Sequence, residues 1–399
     1  MPEIPTLRER FNTRRNNLTV LRLSLATTVV VVHSQALRTA TQPSVVEADL
    51  GQMAVDGFFI LSGFLVTGSA RRLNSVRRFL WHRALRVLPG FWACLMVTAF
   101  VAAPLVAMSQ GRSPLSVFTG EDSAVGFVVS NAGLLIKQWG ISGLTTAATE
   151  PGAMNGSLWS LYYEGMCYVM VSCMILTGMV KGRVAGIGRH RRGSASLMDR
   201  RRELLVAGTV AIWITLVAGT FGLTLPLEMG RLMIFMFLMG VLADLYADHI
   251  PMDPRLGIGS LALLLVTCAI PGGDYQILGA PALAYLLLWI AVALPVPFQP
   301  RNDISYGVYM YHWPILLVLI WAGLDDAGAV IFSLVGGLLT ALFATASWVL
   351  VERPMMKYRH ARWVTLPEVR TRRPEPAGQP VRQPVRQPAG QPARQLIAG

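Results

Sequence analysis

Apolar runs of nearly uniform length, separated by short polar clusters, set the pattern of this chain. They fall at about 18–37, 52–69, 86–108, 157–180, 204–222, 229–246, 257–271, 276–297, 304–323 and 329–350. Most approach the roughly 20 residues that a helix needs to cross a hydrocarbon layer about 30 Å thick. The pattern predicts an all-α, polytopic integral membrane protein with about ten transmembrane helices. The stretch GFVVSNAGLLIKQWGIS over 125–141 is shorter and carries Asn131 and Lys137. It reads as an interfacial or re-entrant segment, with a further crossing as the alternative.

Composition supports a membrane chain. Of 399 residues, 53% are hydrophobic and 14% charged, against about 25% charged in a soluble protein. The net charge of +13 does not indicate nucleic-acid binding, because the basic residues lie in clusters between apolar runs and are not interleaved with aromatics. Their distribution reports orientation. Arg8, Arg10, Arg14 and Arg15 precede the first run, and Arg71, Arg72, Arg77, Arg78 and Arg83 follow the second. Lys181, Arg183, Arg189, Arg191, Arg192 and Arg200 to Arg202 follow the fourth, whereas 38–51 and 109–156 are nearly neutral. If 125–141 does not cross, basic and neutral loops alternate, and both termini are cytoplasmic. The expected division is a basic cytoplasmic N-terminus at 1–17, a ten-helix membrane unit at 18–357 and a disordered Pro/Gln/Arg-rich cytoplasmic tail at 358–399. The expected location is the cell (inner or plasma) membrane as a multi-pass protein, with lipids as partners. The polar, arginine-rich start lacks the short apolar region of a removable signal peptide. Cys94, Cys167, Cys173 and Cys268 lie inside apolar runs without zinc-ligand spacing, so neither a metal site nor a disulfide framework is expected.

Ionisable groups inside a span cost about 2.5–3.5 kcal/mol each at its centre, so each needs a reason. Arg22 and His33 lie eleven positions apart. At about 100° per residue they share one helix face, separated by about 16 Å. Taken alone, Arg22 reads as a snorkelling anchor and His33 as a structural hydrogen-bonding group. Asp56, near the start of the second span, and Glu164, in the fourth, are expected at about the depth of His33. A carboxylate beside an imidazole fixes its tautomer and raises its basicity, so the three form a candidate catalytic set. The alternative for Asp56 is a helix-start cap. Arg83 and Arg86, three apart at the cytoplasmic surface, suit bidentate phosphate binding or an ordinary basic flank. Tyr306, Tyr309 and His312 form a stripe on the ninth span. Glu352 and Arg353 read as a local ion pair at a helix stop.

In order, LRLSLATTVVVVH, VDGFFILSGFLVTG, RFLWHRALRVLP, LWSLYYEGMCY and ISYGVYMYHWPI followed by VERP resemble the acyltransferase type 3 family of membrane O-acyltransferases, the bacterial surface-glycan O-acetyltransferases among them. The resemblance covers about 18–357. It implies transfer of an acyl group, usually acetyl from acetyl-coenzyme A as co-substrate, with no bound cofactor, to a hydroxyl of a glycan or lipid-linked sugar. It implies His33 as the catalytic base with Glu164 in the catalytic cavity, and Arg22, Arg83 and Arg86 on the donor side. Tyr306, Tyr309, His312 and Trp159 are candidate cavity residues. Where the family often has two consecutive acidic residues, Glu164 is followed by Gly165. Some members carry a further hydrolase-like domain; here the ten-helix unit is expected to complete transfer or pass the acyl group on. Two alternatives stand: a multi-span transporter or flippase of a glycan precursor, and acylation of a small-molecule sugar such as a macrolide's. Against transport, the chain has no repeat outside the QPVRQPVRQPAGQPARQ tail and no matching pair of broken spans.

Overall fold

A computed structural model describes residues 4–13, 15–41, 43–45, 48–144, 152–180, 192–223, 225–270, 275–294, 300 and 302–361. Among these residues, ten helices reach fourteen residues or more: α1 (Leu18–Thr39), α2 (Leu50–Leu73), α3 (Val76–Val97), α4 (Trp159–Leu176), α5 (Arg192–Thr220), α6 (Glu228–Leu245), α7 (Pro254–Cys268), α8 (Ala280–Ala293), α9 (Ser305–Trp321) and α10 (Ala329–Ser347). One helix occupies each expected stretch. Through a π turn at Thr98–Ala102, α3 runs on into Ala103–Ser109, and α10 continues through a second at Trp348–Glu352. Strands are confined, among the described residues, to the hairpin pair Ser44–Val45 and Ala48–Asp49. Five helical segments are long and apolar enough to cross a membrane: Leu18–Thr39, Leu50–Leu73, Val76–Ser109, Arg200–Thr220 and Ala329–His360. At fifteen and fourteen residues, α7 and α8 fall short of the roughly 20 needed for an upright span.

The surface is apolar where that of a water-soluble fold would be polar. Val330, Leu334, Leu338 and Leu342, one every four residues on α10, are 71, 68, 63 and 56% exposed. Such a ridge in water would be an unusually large apolar patch; against lipid chains it carries no penalty. Asp56, His312 and Glu352 are meanwhile buried inside.

The centre is α2, packed most extensively against α6. Glycine permits that approach: a Cβ on Gly63 would lie 2.0 Å from the Phe237 carbonyl oxygen, and one on Gly240 1.9 Å from that of Ile60. Small residues at a crossing let helix backbones touch, which drives association where lipid offers no hydrophobic force. On the other side, α9, α1 and α10 pack against one another. The N-terminal segment docks at the far end of α2. Arg8 donates to the Asp244 carbonyl at 2.6 Å, while the Asp244 carboxylate sits 3.0 Å from Arg71.

Within 125–141 the helix Ala124–Asn131 spans eight residues, about 12 Å, and then turns back. The buried Asn131 amide makes the turn, accepting from the backbone of Lys137 at 2.8 Å and Gln138 at 3.1 Å and donating to the Gln138 carbonyl at 2.8 Å. At eight residues the helix is well short of the roughly 20 needed for an upright span. At the other end of the chain, residues 356–360 form a short helix against α3, with the Trp81 indole donating to the Tyr358 carbonyl at 2.9 Å. Most of the expected tail, 362–399, and the basic loop residues 181–191 lie outside the described residues.

Candidate active site

A polar column runs along α9. Asp303 precedes the helix, and Tyr306, Tyr309 and His312 follow at intervals of three. Pro314 interrupts α9 and removes one backbone donor. Gly90 lets α3 close on the column: a Cβ there would meet Tyr306 at 3.1 Å and Glu352 at 3.2 Å.

One end of the column carries arginines. Arg86 forks two carboxylates, Glu352 at 2.8 Å and Asp303 at 3.3 Å, and its guanidinium lies over the rings of Tyr306 and Trp348 at 5.6 and 5.3 Å. Arg22 pairs directly with Asp303. Burial alone would raise the Asp303 carboxyl, but the Arg22 and Arg86 charges and two hydrogen bonds from Ser305 outweigh it and hold it at about 2. Arg83 differs. It reaches the Ser69 hydroxyl only at 3.5 Å and lies 6.0 Å from the Tyr168 ring, and it has no carboxylate partner among the described residues.

These residues open onto a cavity of about 800 Å³, its mouth included, which Arg22, Arg83, Arg86, Glu164, Tyr306 and Tyr309 help to line. Glu164 accepts from the Tyr168 hydroxyl at 2.5 Å and the Ser62 hydroxyl at 3.3 Å. The Tyr309 hydroxyl meets that of Ser160 at 2.7 Å. Tyr306 is committed, donating to the Val87 carbonyl at 2.9 Å.

The other end carries two histidines. His33 Nδ1 lies 2.7 Å from His312 Nε2, and the two rings are nearly parallel, edge to edge, with centroids 5.0 Å apart. The Ser157 hydroxyl lies 3.1 Å from the same His312 Nε2. The Trp313 ring stands edge-on to His33 at 4.9 Å, and the Tyr309 ring is 6.2 Å from His312. The segment before α4 is stitched over this end: Trp313 donates to the Ala153 carbonyl at 3.2 Å and Asn155 to that of Met310 at 3.0 Å. Gly156 is required beneath the indole, where a Cβ would stand 2.6 Å from the ring.

The expected histidine–carboxylate set is therefore not assembled. Asp56 is fully buried, but Gly51 faces Val32 and Gly57 faces Leu25. Asp56 thus lies level with about residue 26 of α1, roughly 10 Å from the His33 level. The hairpin before α2 explains the offset: it sets α2 deeper, and Asp49 rather than Asp56 caps the helix, accepting from Gly51 and Gln52 at 2.7 and 3.1 Å. Asp56 accepts instead from Tyr275 and Gln276, each at 2.7 Å, and Gln52 at 3.0 Å. Glu164, seven residues beyond Ser157 along α4, lies about 10 Å toward the arginines. Trp159 packs edge-on to Tyr163 at 5.8 Å and is not among the cavity residues. Glu352 pairs with Arg86, not Arg353, because the π turn directs it inward. Sequence reading missed Asp303, Ser62, Ser157, Ser160 and Tyr168; the Ser160–Glu164–Tyr168 spacing of four on α4 was the available signal. Among the described residues no His, Cys, Asp and Glu cluster could hold a metal ion.

The acyltransferase domain family model matches residues 15–352. Nodulation protein 10 of Rhizobium leguminosarum bv. viciae is 26% identical over 382 residues, covering 88% of this chain and 96% of that protein. An O-acetyl transferase of Shigella phage Sf6 is 25% identical over 317 residues, 77% of this chain and 86% of the relative. Exopolysaccharide production protein ExoZ of Rhizobium meliloti (strain 1021) is 26% identical over 345 residues, 79% and 93% of the two chains. No solved structure matches significantly. The chain belongs to the acyltransferase family.

Proposed function

From family membership and the polar column, we propose that this acyltransferase moves an acetyl group from cytoplasmic acyl-coenzyme A to a hydroxyl of an extracytoplasmic or lipid-linked glycan. The arginine end faces the cytoplasm and the histidine end faces outward, with both termini cytoplasmic and about ten spans in the cell membrane. The observation that carries this reading is the continuity of the column. Arg83 and the cavity lie at one end, the Tyr309–Ser160 pair sits between, and His33 lies at the other, about 16 Å away along α1. The relatives' names, an O-acetyl transferase and an exopolysaccharide production protein, support a sugar hydroxyl as acceptor.

In this reading Arg83 offers its guanidinium to a donor phosphate, for which a planar cationic fork suits bidentate binding. His33 removes the proton of the acceptor hydroxyl as its oxygen attacks the thioester carbonyl. The carbon–sulfur bond then breaks, and the thiolate leaves as the conjugate of coenzyme A. Glu164, with its Ser62 and Tyr168 hydrogen bonds, shapes the donor cavity rather than orienting the histidine.

The test gives acetyl-labelled acetyl-coenzyme A to membranes holding the chain and follows label into polysaccharide, lipid and protein. His33→Ala is expected to abolish transfer at unchanged protein level. Normal transfer by His33→Ala would remove the histidine from the chemistry. No transfer by the parent, with glycan present, would turn the reading toward another donor or toward transport. Label retained on protein without acceptor would mark a covalent relay.

A further inference from the structure

Resting on His33 as the base, we propose that His312 is its positioning residue: a second, neutral imidazole that holds His33 in the one tautomer able to accept a proton. His312 Nδ1 faces the Val308 carbonyl at 3.3 Å. A carbonyl oxygen can only accept, so Nδ1 carries the hydrogen of a neutral His312, and Nε2 is left as a lone-pair acceptor. Two groups point at that lone pair, His33 Nδ1 at 2.7 Å and the Ser157 hydroxyl at 3.1 Å. A contact of 2.7 Å between ring nitrogens requires one proton between them. His33 Nδ1 supplies it, and His33 Nε2 is then unprotonated.

This is the orienting role a buried carboxylate takes in a Ser-His-Asp triad. Here the carboxylates are elsewhere, Asp56 on Tyr275 and Gln276, and Glu164 on Tyr168 and Ser62. The Val308 carbonyl sets the assignment, and the Ser157 hydroxyl, able to donate or accept, is compatible with it. The ring is fully buried, nearly coplanar with that of His33 at 12° between planes and flanked by the edge of Trp313, 6.5 Å away. The Val308 carbonyl ends the chain of donors, so a proton taken by His33 has no onward path through His312. It stays on His33 until a leaving group or water takes it. Ser157 secures the ring from the other element packed there, because the stitched segment before α4 fixes its hydroxyl.

The experiment uses the full chain in lipid membranes, labelled with nitrogen-15 at its six histidines, with His33→Asn identifying the His33 signals. The expected spectrum shows His33 protonated at Nδ1 and a coupling across the hydrogen bond to His312 Nε2. This readout needs no substrate, so it stands even if the acyltransfer reading fails. Two variants then test the role. His312→Gln keeps an acceptor oxygen near the place of Nε2, and His312→Leu does not. At equal protein level, the glutamine variant is expected within about 10-fold of the parent kcat and the leucine variant about 100- to 1,000-fold below it. KM for acetyl-coenzyme A is expected to hold in both. His33 protonated at Nε2 in the parent, or equal kcat losses in the two variants, would overturn the proposal.

Discussion

Arg86 and Glu352 stand 2.8 Å apart across 266 residues of chain, joining α3 to the π turn at the end of α10. The Glu352 side chain is 1% exposed, so the pair is a buried one with a third member, Asp303. Removing one partner of a buried pair leaves an uncompensated charge, which costs about 3–5 kcal/mol. Asp303 still neutralises part of Arg86, so Glu352→Gln is expected at the low end, about 3 kcal/mol. Arg86→Lys is expected to destabilise as well, since an ammonium cannot fork two carboxylates. Joint replacement, Arg86→Met with Glu352→Leu, is expected to cost less than the sum of the singles. Thermal unfolding in detergent measures all of these.

Asp303 gives a pH signature. Its carboxyl is held at about 2 in the fold, below its ordinary value near 3.9. A depressed folded pKa contributes stability that is present above the unfolded value and is lost as pH falls through the folded one. The stability difference between the parent and Asp303→Asn is therefore expected to be flat from pH 8 to about 5, and to shrink from about pH 4 to 2. Its plateau is expected at about 2.6 kcal/mol. Paired unfolding curves across that range check it. A difference that begins to fall near pH 6 would point to another group.

These partners show what patterning makes legible. The ten stretches were readable because apolar run length reports a helix directly, and Arg22 and His33 were readable as one face because eleven residues close three turns. What faced them was not. Asp303 sits in RNDIS, which reads as an ordinary loop into a helix, and its two arginines come from α1 and α3. The depth of Asp56 failed because counting from an apolar boundary ignores the hairpin that recesses α2. Glu352 failed because no sequence feature marked the π turn that rotates it away from Arg353. Depth along a helix is local information; pairing between helices depends on where each helix enters the bundle.

The α2–α6 crossing is expected to be the least tolerant backbone contact. Gly63→Ala and Gly240→Ala place a methyl 2.0 and 1.9 Å from carbonyl oxygens, and backbone cannot move aside as a side chain can. Each is expected to cost about 3 kcal/mol and to lower the amount of protein in membranes. Gly337→Ala on α10, where nothing lies within 4 Å of the added carbon, is the control and is expected to be neutral or slightly stabilising. Protein level and unfolding temperature separate the two classes.

Arg83 and Arg86 read alike in sequence, yet the structure separates them. Arg86 is saturated by Glu352 and Asp303, so its loss should register as instability. Arg83 lines the same cavity with no carboxylate among the described residues to neutralise it, so its charge is available to an anion. Arg83→Ala is expected to leave the unfolding temperature nearly unchanged and to raise KM for acetyl-coenzyme A about 10-fold or more, since a charge-assisted hydrogen bond contributes about 1.5–3 kcal/mol. Its kcat should hold at saturating donor, because a contact to a distant phosphate is made equally in ground and transition states. Arg86→Ala is expected to show the reverse order, with stability falling first and activity following the folded fraction. Kinetics and unfolding measured on the same preparations distinguish the outcomes. Should Arg83→Ala lose stability and keep its KM, the free guanidinium would be a structural contact to Tyr168 and Ser69, and the donor phosphate would have to bind elsewhere.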